Sequence, residues 1–156
     1  MLQIRRDLVD AMVAHARRDH PDEACGLLVG PAGSDQPRRF VPMTNAARSP
    51  TFYEFDQDEW IGVYRQMDRD DEDAIVVYHS HTATEAYPSR TDIGIADNYA
   101  QFLPSPHYVL ISTRDPDEHE LRSYRITDGE VTEEPVEVVE SYLFAHTGPD
   151  DVPDRT

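Results

Sequence analysis

The chain has 156 residues, 38% of them hydrophobic, which suffices for one buried core and leaves little for a second domain. Its 31 acids against 14 bases give a formal charge of −17, a field that repels nucleic acid and argues against a DNA- or RNA-binding role. No apolar run approaches bilayer length, and the opening Met1-Leu-Gln-Ile-Arg-Arg lacks the apolar stretch of a signal peptide, so a cytoplasmic protein without membrane association is expected.

Leu8, Val9, Met12, Val13 and Ala16 form one helical stripe, predicting a helix over about 5–19 that His20-Pro21-Asp22 ends. Ala24 to Gly30 is a short apolar run closed by Gly30-Pro31 and reads as a buried strand, with Arg38 to Met43 as its partner. Asn45 to Pro50 reads as loop, and Thr51 to Phe55 alternates like a strand with Phe52, Tyr53 and Phe55 as core residues. Asp56 can cap a helix whose buried face is Trp60, Val63, Tyr64 and Met67, until the acidic stretch Asp68 to Asp73 stops it. Ala74 to Tyr78 is the most hydrophobic strand and is expected to be central; it runs directly into His79-Ser80-His81. A helix is expected from near Ser89 to Tyr99, then strands over 108–112 and 121–126. Asp128-Gly129 signals a hairpin whose returning strand is Glu130 to Val139. Residues 1–146 thus form one domain of the α/β class, a mixed sheet flanked by helices, and 147–156 read as a disordered tail. The Tyr142-Leu143-Phe144 cluster packs either on the domain or on a second copy, and the oligomeric state is open.

His79 and His81 share one face of a strand end because side chains alternate with a period of two. Two imidazoles on one side can hold one metal ion, and Asp92, from a helix start beyond a loop, supplies a carboxylate. Three protein ligands leave a fourth position for water, the mark of a catalytic zinc. The blander reading of Ser89-x-x-Asp92 is a capping box, and both readings can hold at once. Cys25 is the single cysteine, so a disulfide within the chain and a cysteine-built metal site are excluded. It reads as a small buried apolar residue or as one facing the site. The segment 45–50 either shapes a substrate groove or is a plain turn, and 82–87 either gates the cleft or merely connects. His15, His20, His107, His119 and His146 have no ligand-spaced partner and are expected at the surface. Every base is arginine, which codon bias explains more simply than avoidance of amine modification.

The joint pattern His79-x-His81, seven residues, Ser89, two residues, Asp92 resembles the HxH-x7-S-x2-D motif of the JAMM (MPN+) zinc metalloproteases at every fixed position. The resemblance implies a single JAMM/MPN-like domain with His79, His81 and Asp92 as ligands of Zn²⁺. It implies Glu23 as the acid–base residue acting on water and Ser89 as a donor to the oxyanion. The segments HPDEACGLLVG, NAARSPTFYEFD and YHSHTATEAYPSRTD are further similar to bacterial Mec-type enzymes. That likeness implies a partner, a ubiquitin-like sulfur carrier protein, whose C-terminal Gly-Gly is freed of cysteine in a route of cysteine biosynthesis. An isopeptidase acting on ubiquitin-like conjugates, or a non-catalytic MPN-type scaffold, is the alternative. The related RadC type is disfavoured by a different loop between the ligands and by the acidic charge.

Overall fold

The computed structural model describes residues 1–143. In chain order they form β1 (Leu2–Arg5), α1 (Arg6–Asp19), β2 (Cys25–Pro31), β3 (Arg39–Met43), α2 (Gln57–Arg69), β4 (Glu72–His81), α3 (Arg90–Tyr99), β5 (His107–Ser112), β6 (Glu120–Thr127), β7 (Glu130–Glu134) and β8 (Val136–Val139). Six strands make one sheet in the order β3-β2-β4-β5-β6-β7. Only β4 and β5 run parallel in it, and the crossover between them carries α3, since parallel neighbours need a long connection. The sheet is therefore mixed, and β4 lies inside it, as its unbroken apolar run predicts.

Period-two alternation divides the sheet's side chains between two cores. On one face Leu28, Val76, Tyr78, Val109 and Ile111 pack against Ile4, Leu8, Met12 and Ala16. On the other, Cys25, Leu27, Val77 and Leu110 pack against Tyr53, Phe55, Trp60, Met67 and Ala96. Both faces being covered explains why β4 reads as a continuous hydrophobic strand rather than an alternating one. His79 and His81 continue the Val77 parity, so they project on the α2/α3 side. Gly26 lets the layers close up: a Cβ there would stand 2.7 Å from the Val41 carbonyl oxygen and 3.3 Å from the Tyr78 ring.

Several expectations fail for identifiable reasons. Thr51 to Phe55 is not a strand; its one ladder contact is the isolated bridge Asn45↔Phe55. Asn45 takes up the Phe52 carbonyl and the Glu54 amide with its own side chain, and Phe52 is 40% exposed. The strand predicted over Glu130–Val139 divides at Pro135, which has no N–H to give a ladder. Its second half, β8, leaves the main sheet and pairs in parallel with β1, a strand the helical stripe had concealed. On α2, Trp60 and Met67 are buried, Val63 is half-buried and Tyr64 is exposed, so the helix buries a narrower stripe than expected.

His15 and His107, expected at the surface, are both buried. His15 Nδ1 lies 2.6 Å from the Tyr78 hydroxyl, and His107 Nδ1 lies 2.6 Å from Glu134 Oε2, so each has a polar partner that permits burial. Tyr142 donates to the Pro37 carbonyl at 2.6 Å and so packs on the domain, while Leu143 is exposed. Phe144, His146 and the tail 147–156 lie outside the described residues.

Candidate metal and hydrolytic site

The end of β4 delivers His79 and His81 side by side, with ring centroids 5.1 Å apart. Asp92, in the first turn of α3, meets both: its Oδ2 is 2.9 Å from His81 Nε2 and 3.1 Å from His79 Nε2. The first approach is a hydrogen bond; the second is close but misaligned, and His79 Nε2 has no hydrogen-bond partner. Glu23 comes from the turn between α1 and β2. One ligand atom from each of Glu23, His79, His81 and Asp92 lies within 4.8 Å of all the others, and all four residues are buried.

The sequence places Asp92 correctly because Ser89 starts α3. Ser89 Oγ accepts from the Asp92 amide at 3.1 Å, and Asp92 Oδ2 accepts from the Ser89 amide at 2.8 Å, a complete capping box. The capping and ligand readings therefore coexist, and the cap fixes the carboxylate's orientation. Ser89 is half-buried beside the cluster, and because its oxygen serves as the acceptor its hydroxyl proton stays free to donate.

Glu23 is held through its backbone. Its N–H donates to Ser49 at 2.9 Å, and its carbonyl accepts from Asn45 Nδ2 at 2.9 Å. Asn45 also donates to the Phe52 carbonyl at 3.0 Å, while its Oδ1 accepts from the Ala47 and Glu54 amides, each at 3.0 Å. All its hydrogen-bonding capacity is thus spent on folding 44–56 around Glu23. That segment carries Tyr53, whose ring stacks on His79 at 4.5 Å. Between the two open readings of 45–50, the structure shows a wall of the site built from turns.

The segment 82–87 is pinned rather than free. His81 Nδ1 faces the Glu85 carbonyl at 2.8 Å, which makes Nδ1 the donor and leaves Nε2 for a metal. Ser112 Oγ donates to the Thr84 carbonyl at 2.6 Å, the Tyr124 hydroxyl to the Ala86 carbonyl at 2.5 Å, and the Ala86 amide to Glu120 Oε1 at 2.5 Å. Tyr53, Ser112, Glu120 and Tyr124 escaped sequence reasoning, since each meets the site across the fold with no motif spacing to announce it.

Burial raises the Glu23 carboxyl to about 8; the His81 charge opposes this and the Asp92 charge adds to it. Burial would likewise raise Asp92, but the close approach of His79 and the hydrogen bonds from His81 and the Ser89 backbone overcome it and hold its carboxyl far below the usual range. His81 is desolvated, yet its bonds to Asp92 and the Glu85 carbonyl raise it. Cys25 pairs in register with His79 but sits in the core, where burial pushes its thiol well up and leaves it inert. Glu23 Oε1, Asp92 Oδ1 and both ring nitrogens of His79 are buried without a hydrogen-bond partner. Buried polar atoms left this way are rare, and a cation with its water satisfies a set of two carboxylates and two imidazoles.

A sequence profile for prokaryotic homologs of the JAB domain matches residues 5–127. A protein of Mycobacterium tuberculosis named CysO-cysteine peptidase is 67% identical over 142 residues, 91% of this chain and 94% of that protein. A desampylase of Haloferax volcanii is 32% identical over 96 residues, 58% of this chain and 69% of that protein. The solution structure of protein DSY2949 from Desulfitobacterium hafniense superposes with a TM-score of 0.76 at 32% identity, covering 90% of this chain and 94% of that one. On the profile, the identities and the shared fold together, this chain is a single-domain member of the JAB (JAMM/MPN) family.

Proposed function

We propose that this protein is a zinc-dependent peptidase that hydrolyses the peptide bond after the C-terminal Gly-Gly of a ubiquitin-like sulfur carrier protein and releases cysteine. The buried cluster of Glu23, His79, His81 and Asp92, with its unpartnered oxygens and nitrogens, carries the hydrolase reading. The relative named CysO-cysteine peptidase, matched over nearly its whole length, supports the substrate. Two imidazoles and a carboxylate without cysteine are a ligand set suited to a catalytic Zn²⁺.

His79, His81 and Asp92 would hold the ion, which supplies Lewis acidity and brings the pKa of a water to about 7. Glu23 is the base that takes the proton of the attacking water and passes it to the departing amine. Its buried, proton-avid carboxyl suits both halves of that transfer. The C–N bond breaks, the water oxygen stays on the glycine carbonyl carbon, and the amine leaves protonated. Ser89 donates its free hydroxyl proton to the developing oxyanion. The described residues contain no helix long and apolar enough to cross a membrane, consistent with a carrier protein met in solution.

Intact mass spectrometry of a carrier ending in Gly-Gly-Cys, incubated with the zinc-loaded protein, tests this. We expect loss of one cysteine, no loss with His79→Ala, and a roughly 10²–10⁴-fold slower reaction with folded, zinc-loaded Glu23→Gln. Normal cleavage by Glu23→Gln would remove that residue from its role. The desampylase relative supports a second reading, cleavage of isopeptide conjugates. A carrier–lysine conjugate cleaved in preference to the cysteine adduct would establish it.

A further inference from the structure

A cleft of about 270 Å³ opens beside Glu23, lined also by Arg18, Asp19, Asp22 and Arg48. Glu23, as proton donor to the departing nitrogen, must stand within hydrogen-bond reach of it. The released residue therefore occupies the space on the Glu23 side, and its α-carboxylate lies two covalent bonds from that nitrogen. Of the residues of the metal cluster only Glu23 lines this cleft, which makes it the candidate for that space.

Arg48 combines a place in this cleft with a left-handed backbone. Among the described residues Arg5, Arg39 and Arg122 each grip a carboxylate with a forked pair of hydrogen bonds, whereas no ion pair engages Arg48. Arg17, Arg65, Arg90 and Arg114 likewise take part in no ion pair among the described residues, but of these arginines only Arg48 lines the cleft beside Glu23. Its backbone is also left-handed, at φ 48°, closing a turn in which its N–H donates to the Asn45 carbonyl at 3.1 Å. Glycine or asparagine fits that conformation better, and strain of this kind gathers where a side chain has a task. The next residue, Ser49, accepts from the Glu23 amide at 2.9 Å, so the turn is registered directly to the proposed base. Arg18 and His15 engage Asp19, leaving Asp22 as the carboxylate that opposes an anion at the mouth.

Resting on the peptidase reading above, we infer that Arg48 binds the free α-carboxylate of the residue being released, so that the site selects an adduct bearing a single C-terminal amino acid. A guanidinium–carboxylate contact gives a charge-assisted, forked bond that a side-chain amine in an isopeptide does not offer.

The test compares two carrier adducts, Gly-Gly-Cys with a free acid and Gly-Gly-Cys with a C-terminal amide, on the zinc-loaded full chain. The wild type is expected to favour the acid by ~10-fold or more in kcat/KM, mainly through KM. Arg48→Gln brings that ratio to about one. Arg48→Gly does the same while leaving thermal stability equal or higher, because it relieves the left-handed residue. Asp22→Asn lowers KM for the acid. Equal wild-type rates on acid and amide, or an undiminished ratio in Arg48→Gln, would overturn the inference and leave the peptidase standing. Cleavage of neither adduct would remove the peptidase reading and this inference with it.

Discussion

Asn45 shows how much one side chain can organise. It bonds four backbone groups that otherwise have no partner in a strand or helix, one of them on the proposed base and two flanking Tyr53, the aromatic ring on His79. Asn45→Ala strips those partners at once and is expected to destabilise the fold by about 2–4 kcal/mol, from a loss of about 1–3 kcal/mol for each group that water cannot reach. Denaturant unfolding measures this. Among molecules that remain folded, kcat is expected to fall while zinc affinity changes little, since Asn45 touches no proposed ligand side chain. Stability equal to wild type would show that water replaces the amide without cost. From sequence, Asn45 was one polar residue in a loop. Its importance lies in carbonyls seven and twenty-two positions away, and no local pattern encodes that.

At the scale of elements, β4 and α3 carry the proposed ligands His79, His81 and Asp92, and the segment between them orients His81. That segment is short of secondary structure but rich in bonds to β5 and β6. The Tyr124 hydroxyl fixes the Ala86 carbonyl, next to the Glu85 carbonyl that orients His81. Partners one shell out from a metal typically tune its affinity by ~10–100-fold. Tyr124→Phe keeps the ring and removes the bond, so we expect zinc affinity to fall toward the lower end of that range in competition with a chelator. Unaltered affinity would show that the loop holds His81 without it. The strand and the helix were legible because β4 is apolar throughout and Ser89-x-x-Asp92 is a cap. The pinning of the loop was not, because its partners come from two later strands.

The whole molecule links its two buried histidines to acid sensitivity. Burial lowers His15 and His107 from the ordinary 6.5, against the pull of Asp19 on the first and Glu134 on the second. A cation beside each adds to the effect of burial: Arg18 for His15, and Arg125, 3.1 Å from His107 Nε2, for His107. As pH falls through 6.5 the unfolded chain takes up these protons first, so stability declines from there down to the depressed folded values. The Glu134 carboxyl, desolvated but lowered by His107 and Ser123, adds its own loss further into acid. Denaturant melts between about pH 7.5 and about pH 5 should show falling stability, with a shallower slope in His107→Gln. An unchanged slope in that variant would assign the effect elsewhere.

Local pattern determined a good deal by itself. The helical stripes, the apolar strands and the HxH-x7-S-x2-D spacing are all properties of near neighbours, where periodicity and capping act directly. They placed β2, β4 and α3 and suggested His79, His81 and Asp92 as ligands, while Glu23 and the role of Ser89 came from the resemblance to the JAMM motif. Tertiary structure alone decided the rest. It sent β8 across to β1, buried His15 and His107, turned Phe52 outward, and wrapped 44–56 around Glu23. Those outcomes depend on which surfaces meet after the chain has folded back on itself, and contacts between distant segments leave no period in the sequence.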